Sequence, residues 1–278
     1  MRAALFFLLL IAFPSSPQES NPKLTGNISY DELLKRKTSR SVEWTNPNGM
    51  KEEMTFTEMS IPIDPVMQKR TADFNAFNYG LNGPWLEPKM IVLHSMDLGD
   101  LRKSLEESSF LHDQMPASWG NLPKAGKLPN GSQFIVDQDG TIYCLAPPTA
   151  KAGQVSYNRD DHRWYIKRHQ DGNPVAIGIE NVTERNGDLT DLTVSQIASN
   201  ARLARWLIWV ENGKIDHLSS HHQFNDELFL NHMLNFYHLQ YFGKKNRTTG
   251  RRDVGNDRLS EIISKVNDAG YHVSSAFN

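Results

Sequence analysis

The 278-residue chain has a single cysteine, Cys144, and almost no excess of either charge, with 30 Lys and Arg against 32 Asp and Glu. A lone thiol excludes an intrachain disulfide framework and any cysteine-rich zinc finger. The balanced charge gives no general reason to expect a nucleic-acid or polyphosphate partner. The Gly-x-Ser-x-Gly elbow, the Walker-type phosphate loop, HExxH and the dinucleotide fingerprint are also missing. Beyond the N-terminus no apolar run approaches the roughly 20 residues that a membrane-crossing helix needs. What remains is 38% hydrophobic and 10% aromatic residues. That is enough for a sizeable core in one large domain, or in one domain with an appendage. Ten histidines are the chief reserve of metal-binding and acid–base chemistry.

Residues 1–16 read as an export signal rather than as part of the fold. A short positive start, Met1-Arg2-Ala3, precedes the apolar run Ala4–Phe13, which Pro14, Ser15 and Ser16 then break. The run is too short to span a bilayer comfortably; an uncleaved anchor is the alternative. No cysteine follows it, which speaks against a lipoprotein. The expected mature chain is therefore soluble and exported, with no membrane span. Four Asn-x-Ser/Thr sequons, at Asn27, Asn130, Asn181 and Asn246, matter only in a eukaryotic secretory route.

Residues 17–88 are expected to form an extension packed on the main domain, with a linker as the alternative. Met54, Phe56, Met59, Ile61 and Ile63 make its best strand-like alternation, and Phe74, Phe77, Tyr79 and Trp85 add aromatic surface. The main domain is expected over 89–278. Met90–His94 reads as a strand buried on both faces, Asp100–Leu111 as a helix, and 133–136 with 141–145 as a hairpin around Asp137-Gln138-Asp139-Gly140. Val175–Val182 is a further strand. Thr193 and Gln196 have capping-box spacing before a helix carrying Ile197, Ala201, Ala204 and Ile208, with Asn212-Gly213 as its stop. Leu259, Ile262, Ile263 and Val266 mark a last amphipathic helix ending near Gly270. Strands alternating with helices imply an α/β domain with a central mixed β-sheet flanked by helices.

Three places could carry chemistry. His94 ends an apolar strand where the chain leaves the sheet, a usual position for functional side chains in α/β folds, although a strand-end His taken alone is more often structural. His221 and His222 follow Leu218-Ser219-Ser220 in what reads as a loop, where a His pair is usually just solvated. Asp253 lies just before the last helix. Two imidazoles, a carboxylate and an open position for water suit a catalytic zinc shell, but spacing alone does not bring them together. Cys144, in a predicted strand, reads as a buried and inert thiol.

Taken in order, seven segments resemble the zinc-dependent N-acetylmuramoyl-L-alanine amidases, a family that includes the peptidoglycan recognition proteins. They are Ile91-Val92-Leu93-His94-Ser95; Ser132 to Tyr143, similar to "S-x-H-F-x-I-D-x-D-G-x-I-Y"; and Ala150-Lys151-Ala152-Gly153 with Asn158. They continue with Ala176-Ile177-Gly178-Ile179-Glu180, Leu192-Thr193 with Gln196, Ser220-His221, and Arg251-Arg252-Asp253-Val254-Gly255. The resemblance spans residues 88 to 268, and each piece is weak where the ordered set is strong.

The resemblance implies an amidase or peptidoglycan recognition protein-like fold, and a zinc ion held by His94, His221 and Asp253. His221 is preferred to His222 because the family has a small residue before its ligand. Glu180 is implied as the proton carrier and Arg251 as the group facing the reacting carbonyl, where the family has Lys. Arg keeps the charge but cannot lend a proton. Val254 stands in place of Pro, and Gln133 and Lys151 where the family often has His. The stretch 223–250 is long for the family and carries Phe229, Phe236, Tyr237, Tyr241 and Phe242. A flap over the groove and a structural excursion both suit it. The implied substrate is peptidoglycan or a muropeptide in a periplasmic, cell-envelope or secreted setting. A non-catalytic muropeptide-binding module, and a zinc amidohydrolase acting on another acyl-amino-acid amide, are the alternatives.

Overall fold

Met90–Met96 and Ala176–Val182 are aliphatic runs with few polar breaks, and they lie side by side at the centre of one sheet. A computed structural model of the chain describes residues 35–59, 87–96, 99–107, 132–146, 148, 175–183, 192–220, 254 and 256–275. The strands are β1 (Lys37–Thr45), β2 (Lys51–Met59), β3 (Met90–Met96), β4 (Phe134–Val136), β5 (Ile142–Cys144), β6 (Ala176–Val182), β7 (His217–Ser220) and β8 (Ser274–Ser275). They form one sheet in the order β1-β2-β5-β4-β6-β3-β7-β8. The pairs β1/β2 and β4/β5 are antiparallel and the others parallel, so the sheet is mixed.

Side chains alternate across a strand, and the parity separates two layers. Ile91 and Leu93, Phe134 and Val136, and Ile177 and Ile179 share one core with two helices. These are α2 (Val194–Val210) and α3 (Asn256–Asn267), which contribute Ile197, Ala201, Ala204 and Leu207, and Leu259, Ile262 and Val266. The opposite parity, Ile135 and Val182, joins Met59, Leu145 and Leu105 in a smaller cluster. Leu105 belongs to α1 (Leu101–Glu107), the described part of the helix expected over 100–111.

Helix α2 starts where its cap chemistry requires. Thr193 Oγ1 accepts the Gln196 N–H while Gln196 Oε1 accepts the Thr193 N–H, completing the capping box. At the other end Asn212 and Gly213 both take positive φ, a conformation open to these two residue types and to few others. Gly140 in the β4–β5 turn is also held at positive φ, and a Cβ there would stand 2.9 Å from Ser199 Oγ. The turn can approach α2 only because that position has no side chain.

Strand β1 was not anticipated. Its inward positions Val42 and Trp44 are separated by polar, solvent-facing residues, and Asn46-Pro47-Asn48-Gly49 turns the chain into β2. This hairpin is the sheet's own edge. Arg205 Nε of α2 meets Glu52 Oε2 at 2.7 Å, Trp44 Nε1 donates to Tyr271 Oη at 3.1 Å, and Asn48 Nδ2 donates to the Asp268 carbonyl. Leu218-Ser219-Ser220, expected as loop, is strand β7, and the two-residue β8 beside it was not foreseen either. Both are too short to show periodicity.

Candidate active site

Register brings the site together. His94 of β3 is the Cα partner of Glu180 on β6, Glu180 of Ile135 on β4, and Ile135 of Tyr143 on β5. Partners in register share a face, so these four residues form one row across four strands, on the side away from α2 and α3. Adjacent strands lie about 4.8 Å apart, which makes the His94 imidazole and the Glu180 carboxylate immediate neighbours. His94 is 5% exposed and Glu180 half-buried. Ser132, itself buried, donates its hydroxyl to Glu180 Oε1 at 3.4 Å.

The reverse of this row is closed by polar groups. Asn181 Nδ2 donates to the His94 carbonyl at 3.0 Å, and Asn200 Nδ2 of α2 donates to Asn181 Oδ1 at 2.6 Å. Gln196 Nε2 reaches the carbonyls of Val136 and Val182 at the ends of β4 and β6. Just beyond His94, Ser95 Oγ and Thr183 Oγ1 are 2.6 Å apart. The strand ends that present His94 and Glu180 are thus stitched to one another and to the first turns of α2. Of the four sequons, Asn181 is the one within the described residues. It is buried and both of its amide atoms are bonded, so a glycan there is incompatible with the fold.

The structure therefore brings two expected site residues, His94 and Glu180, into contact range. His221, Asp253 and Arg251 lie outside the described residues, as do His222, Lys151 and the stretch 223–250. Their described neighbours Ser220 and Val254 are both fully buried, and Ser220 is the Cα partner of Leu93. Among the described residues no three His, Cys, Asp or Glu side chains are grouped to hold a metal. In donor chemistry the expected set, two imidazoles and one carboxylate, fits a catalytic zinc ion, and His94 is buried in β3, which runs two residues further than expected, to Met96. Gln133 is fully buried and its Oε1 accepts the Gly178 N–H at 2.7 Å, so it ties β4 to β6.

Cys144 lies on the other face. Burial, reinforced by the Glu58 carboxylate, pushes its thiol up to about 12, while its Sγ–H donates to the Ala146 carbonyl. Sequence reasoning quoted Ser132 and Tyr143 without a role and missed the Asn181–Asn200 pair. Tyr143 joins the row only through its register with Ile135, and Ser132, outside β4 and of the same parity as Phe134, carries no alternation signal. Asn200 carries no such signal either.

The family model described as N-acetylmuramoyl-L-alanine amidase matches residues 84–233, more than half of the chain. The chain belongs to this amidase family. His94, Glu180 and His221 fall within the matched segment, while Arg251, Asp253 and the β1–β2 hairpin lie outside it. No curated protein matches the chain. Solved structures similar to this amidase-family chain include the N-acetylmuramoyl-L-alanine amidase LysC from Clostridium intestinale, at 24% identity over 50% of this chain and 73% of that one, TM-score 0.33. Drosophila peptidoglycan recognition protein SA is 12% identical over 52% and 74%, TM-score 0.34. Human PGRP-IβC in complex with glycosamyl muramyl pentapeptide is 14% identical over 51% and 75%, TM-score 0.31.

Proposed function

We propose that this member of the amidase family is an exported, zinc-dependent N-acetylmuramoyl-L-alanine amidase. It hydrolyses the amide joining the lactyl group of N-acetylmuramic acid to the L-alanine of peptidoglycan or a muropeptide. The observation that carries the reading is the register pairing of His94 with Glu180, which sets an imidazole and a carboxylate side by side on the sheet face away from α2 and α3. His94, His221 and Asp253 would hold the zinc. The set rests on the family resemblance and on its donor chemistry, two imidazoles and one carboxylate.

When bound, zinc supplies Lewis-acid chemistry, lowering the pKa of water and polarising the scissile carbonyl. The remaining work falls to side chains. Glu180 accepts the proton of the attacking water and delivers it to the departing amine of L-alanine. The hydroxyl of Ser132 orients that carboxylate by donating to Oε1. Arg251 offers a fixed positive charge to the developing oxyanion and, unlike a lysine, takes no part in proton transfer. Export is part of the proposal. It is supported by the charged start and the ten-residue apolar run that Pro14 ends, and it places the protein in the periplasm, the cell envelope or the medium. Among the described residues no helix is long and apolar enough to cross a membrane.

The test is mass spectrometry of defined muropeptides incubated with purified protein, with and without a chelator and then with zinc restored. Release of free stem peptide that stops with chelator and returns with zinc is expected. Intact muropeptides under all conditions, with one zinc per chain, would instead favour a binding module or a different amide substrate.

A further inference from the structure

Behind the candidate site, polar bonding replaces the apolar packing found elsewhere between sheet and helix. Gln196 and Asn200 are four residues apart on α2, hence on one helical face, and both are fully buried. Asn200 Nδ2 donates to Asn181 Oδ1 and, at 2.8 Å, to the Gln196 carbonyl; Asn181 Nδ2 donates in turn to the carbonyl of His94. Turning the Asn200 amide over would set its oxygen against two other oxygens, so the network itself fixes its orientation. In that orientation Asn200 Oδ1 is the one buried side-chain N or O atom without a hydrogen-bond partner among the described residues. An orphaned buried acceptor is unfavourable, and a pair of apolar side chains of similar shape would carry no such penalty. Asn181 follows Ile177 and Ile179 on the same face of β6, where an aliphatic residue would continue the core. The pair therefore sits where packing alone favours two leucines, and what it reaches is the peptide of His94.

We propose that Asn181 and Asn200 are positioning residues for His94. They tie its carbonyl to the start of α2 and so set where the imidazole stands relative to Glu180, at the expense of one unpaired acceptor. The inference rests on the zinc-ligand reading of His94, and its test uses metal-free as well as zinc-loaded protein so that the two can fail separately. The test compares wild type with Asn181→Leu/Asn200→Leu in three measurements: melting of the metal-free protein, zinc affinity by chelator competition, and the His94 ring signals in proton–carbon NMR of the metal-free protein.

The His94 ring signals of the double variant are expected to broaden or double, while its melting temperature reads the balance between the relieved Asn200 acceptor and the lost bond to the His94 carbonyl. The variant should bind zinc about 10-fold more weakly, the lower end of what loss of a ligand-orienting partner causes. Zinc affinity within twofold of wild type together with unchanged ring signals would overturn the proposal, whatever the melting temperature. If the Leu pair fails to fold, Asn181→Ala/Asn200→Ala, which leaves space rather than filling it, is read by the same ring and affinity criteria. A wild-type protein that binds no zinc would remove the zinc reading, and the ring signals would then decide the positioning proposal alone.

Discussion

The two faces of the sheet use the same strands for different ends. On the α2–α3 face, Leu93, Phe134, Ile177 and Ile179 are fully buried and Trp206 packs edge-on against Phe134 at 6.3 Å between ring centroids. One residue away in each strand, His94, Ile135 and Glu180 lie on the opposite face, where the described apolar cover is a small cluster that includes Leu105 of α1. Period-two alternation thus separates stability from chemistry by a single peptide unit. The exception is informative: at the level of the site the helix face also turns polar, through Asn181, Asn200 and Gln196.

Emptying the helix face should break that division most severely. Phe134→Ala is expected to cost about 3–5 kcal/mol, read as a lower urea midpoint. A loss under about 1 kcal/mol would mean that this face is not the principal core. Gln196→Ala should cost about 2–3 kcal/mol, because the Thr193 N–H and the Val136 and Val182 carbonyls all lose their partner. Gln196→Glu restores an acceptor for the cap but no donor for the carbonyls, so it should recover less than half of that loss. An equal recovery would assign the effect to the cap alone.

A smaller effect sharpens the comparison at the sheet's edge. Arg205→Ala removes the partner of Glu52 and a bond to the Lys265 carbonyl, and should cost about 1–2 kcal/mol. Amide exchange should speed up in residues 37–59 while the centre of α2 stays protected; equal acceleration in both would show that the hairpin does not open separately.

The smallest effect concerns Cys144. Its folded-state thiol near 12 lies above the roughly 8.5 of an unfolded cysteine, so the unfolded chain loses this proton first as pH rises. The stability it contributes is fully present below pH 8.5 and is lost as pH climbs from there towards 12. Iodoacetamide at pH 8 should leave the native thiol unmodified and alkylate it once urea unfolds the chain. Rapid native labelling would contradict the raised thiol pKa.

How much of this could be read beforehand depends on element length and on what each residue contacts. β3, β6, the β4–β5 hairpin and both long helices were legible because aliphatic periodicity, the Thr193–Gln196 box and Asn212-Gly213 all agree locally. β1 was missed because only Val42 and Trp44 mark its inner face, and β7 and β8 because two to four residues carry no period. His94 was singled out by its place at the end of an apolar run and Glu180 by the amidase resemblance, and their adjacency followed only once the strand register was known. The Asn181–Asn200 pair was invisible, since a buried amide and a solvated one have the same letter in a sequence.

The central claim is that His94 and Glu180, paired across β3 and β6, serve as zinc ligand and proton carrier. The most direct test is to measure bound zinc and stem-peptide release together in wild type, His94→Ala and Glu180→Gln. Glu180→Gln should keep one zinc per chain and lose turnover by a factor of about 100 to 10,000, whereas His94→Ala should lose both. Turnover retained in Glu180→Gln, or zinc retained undiminished in His94→Ala, would contradict the account.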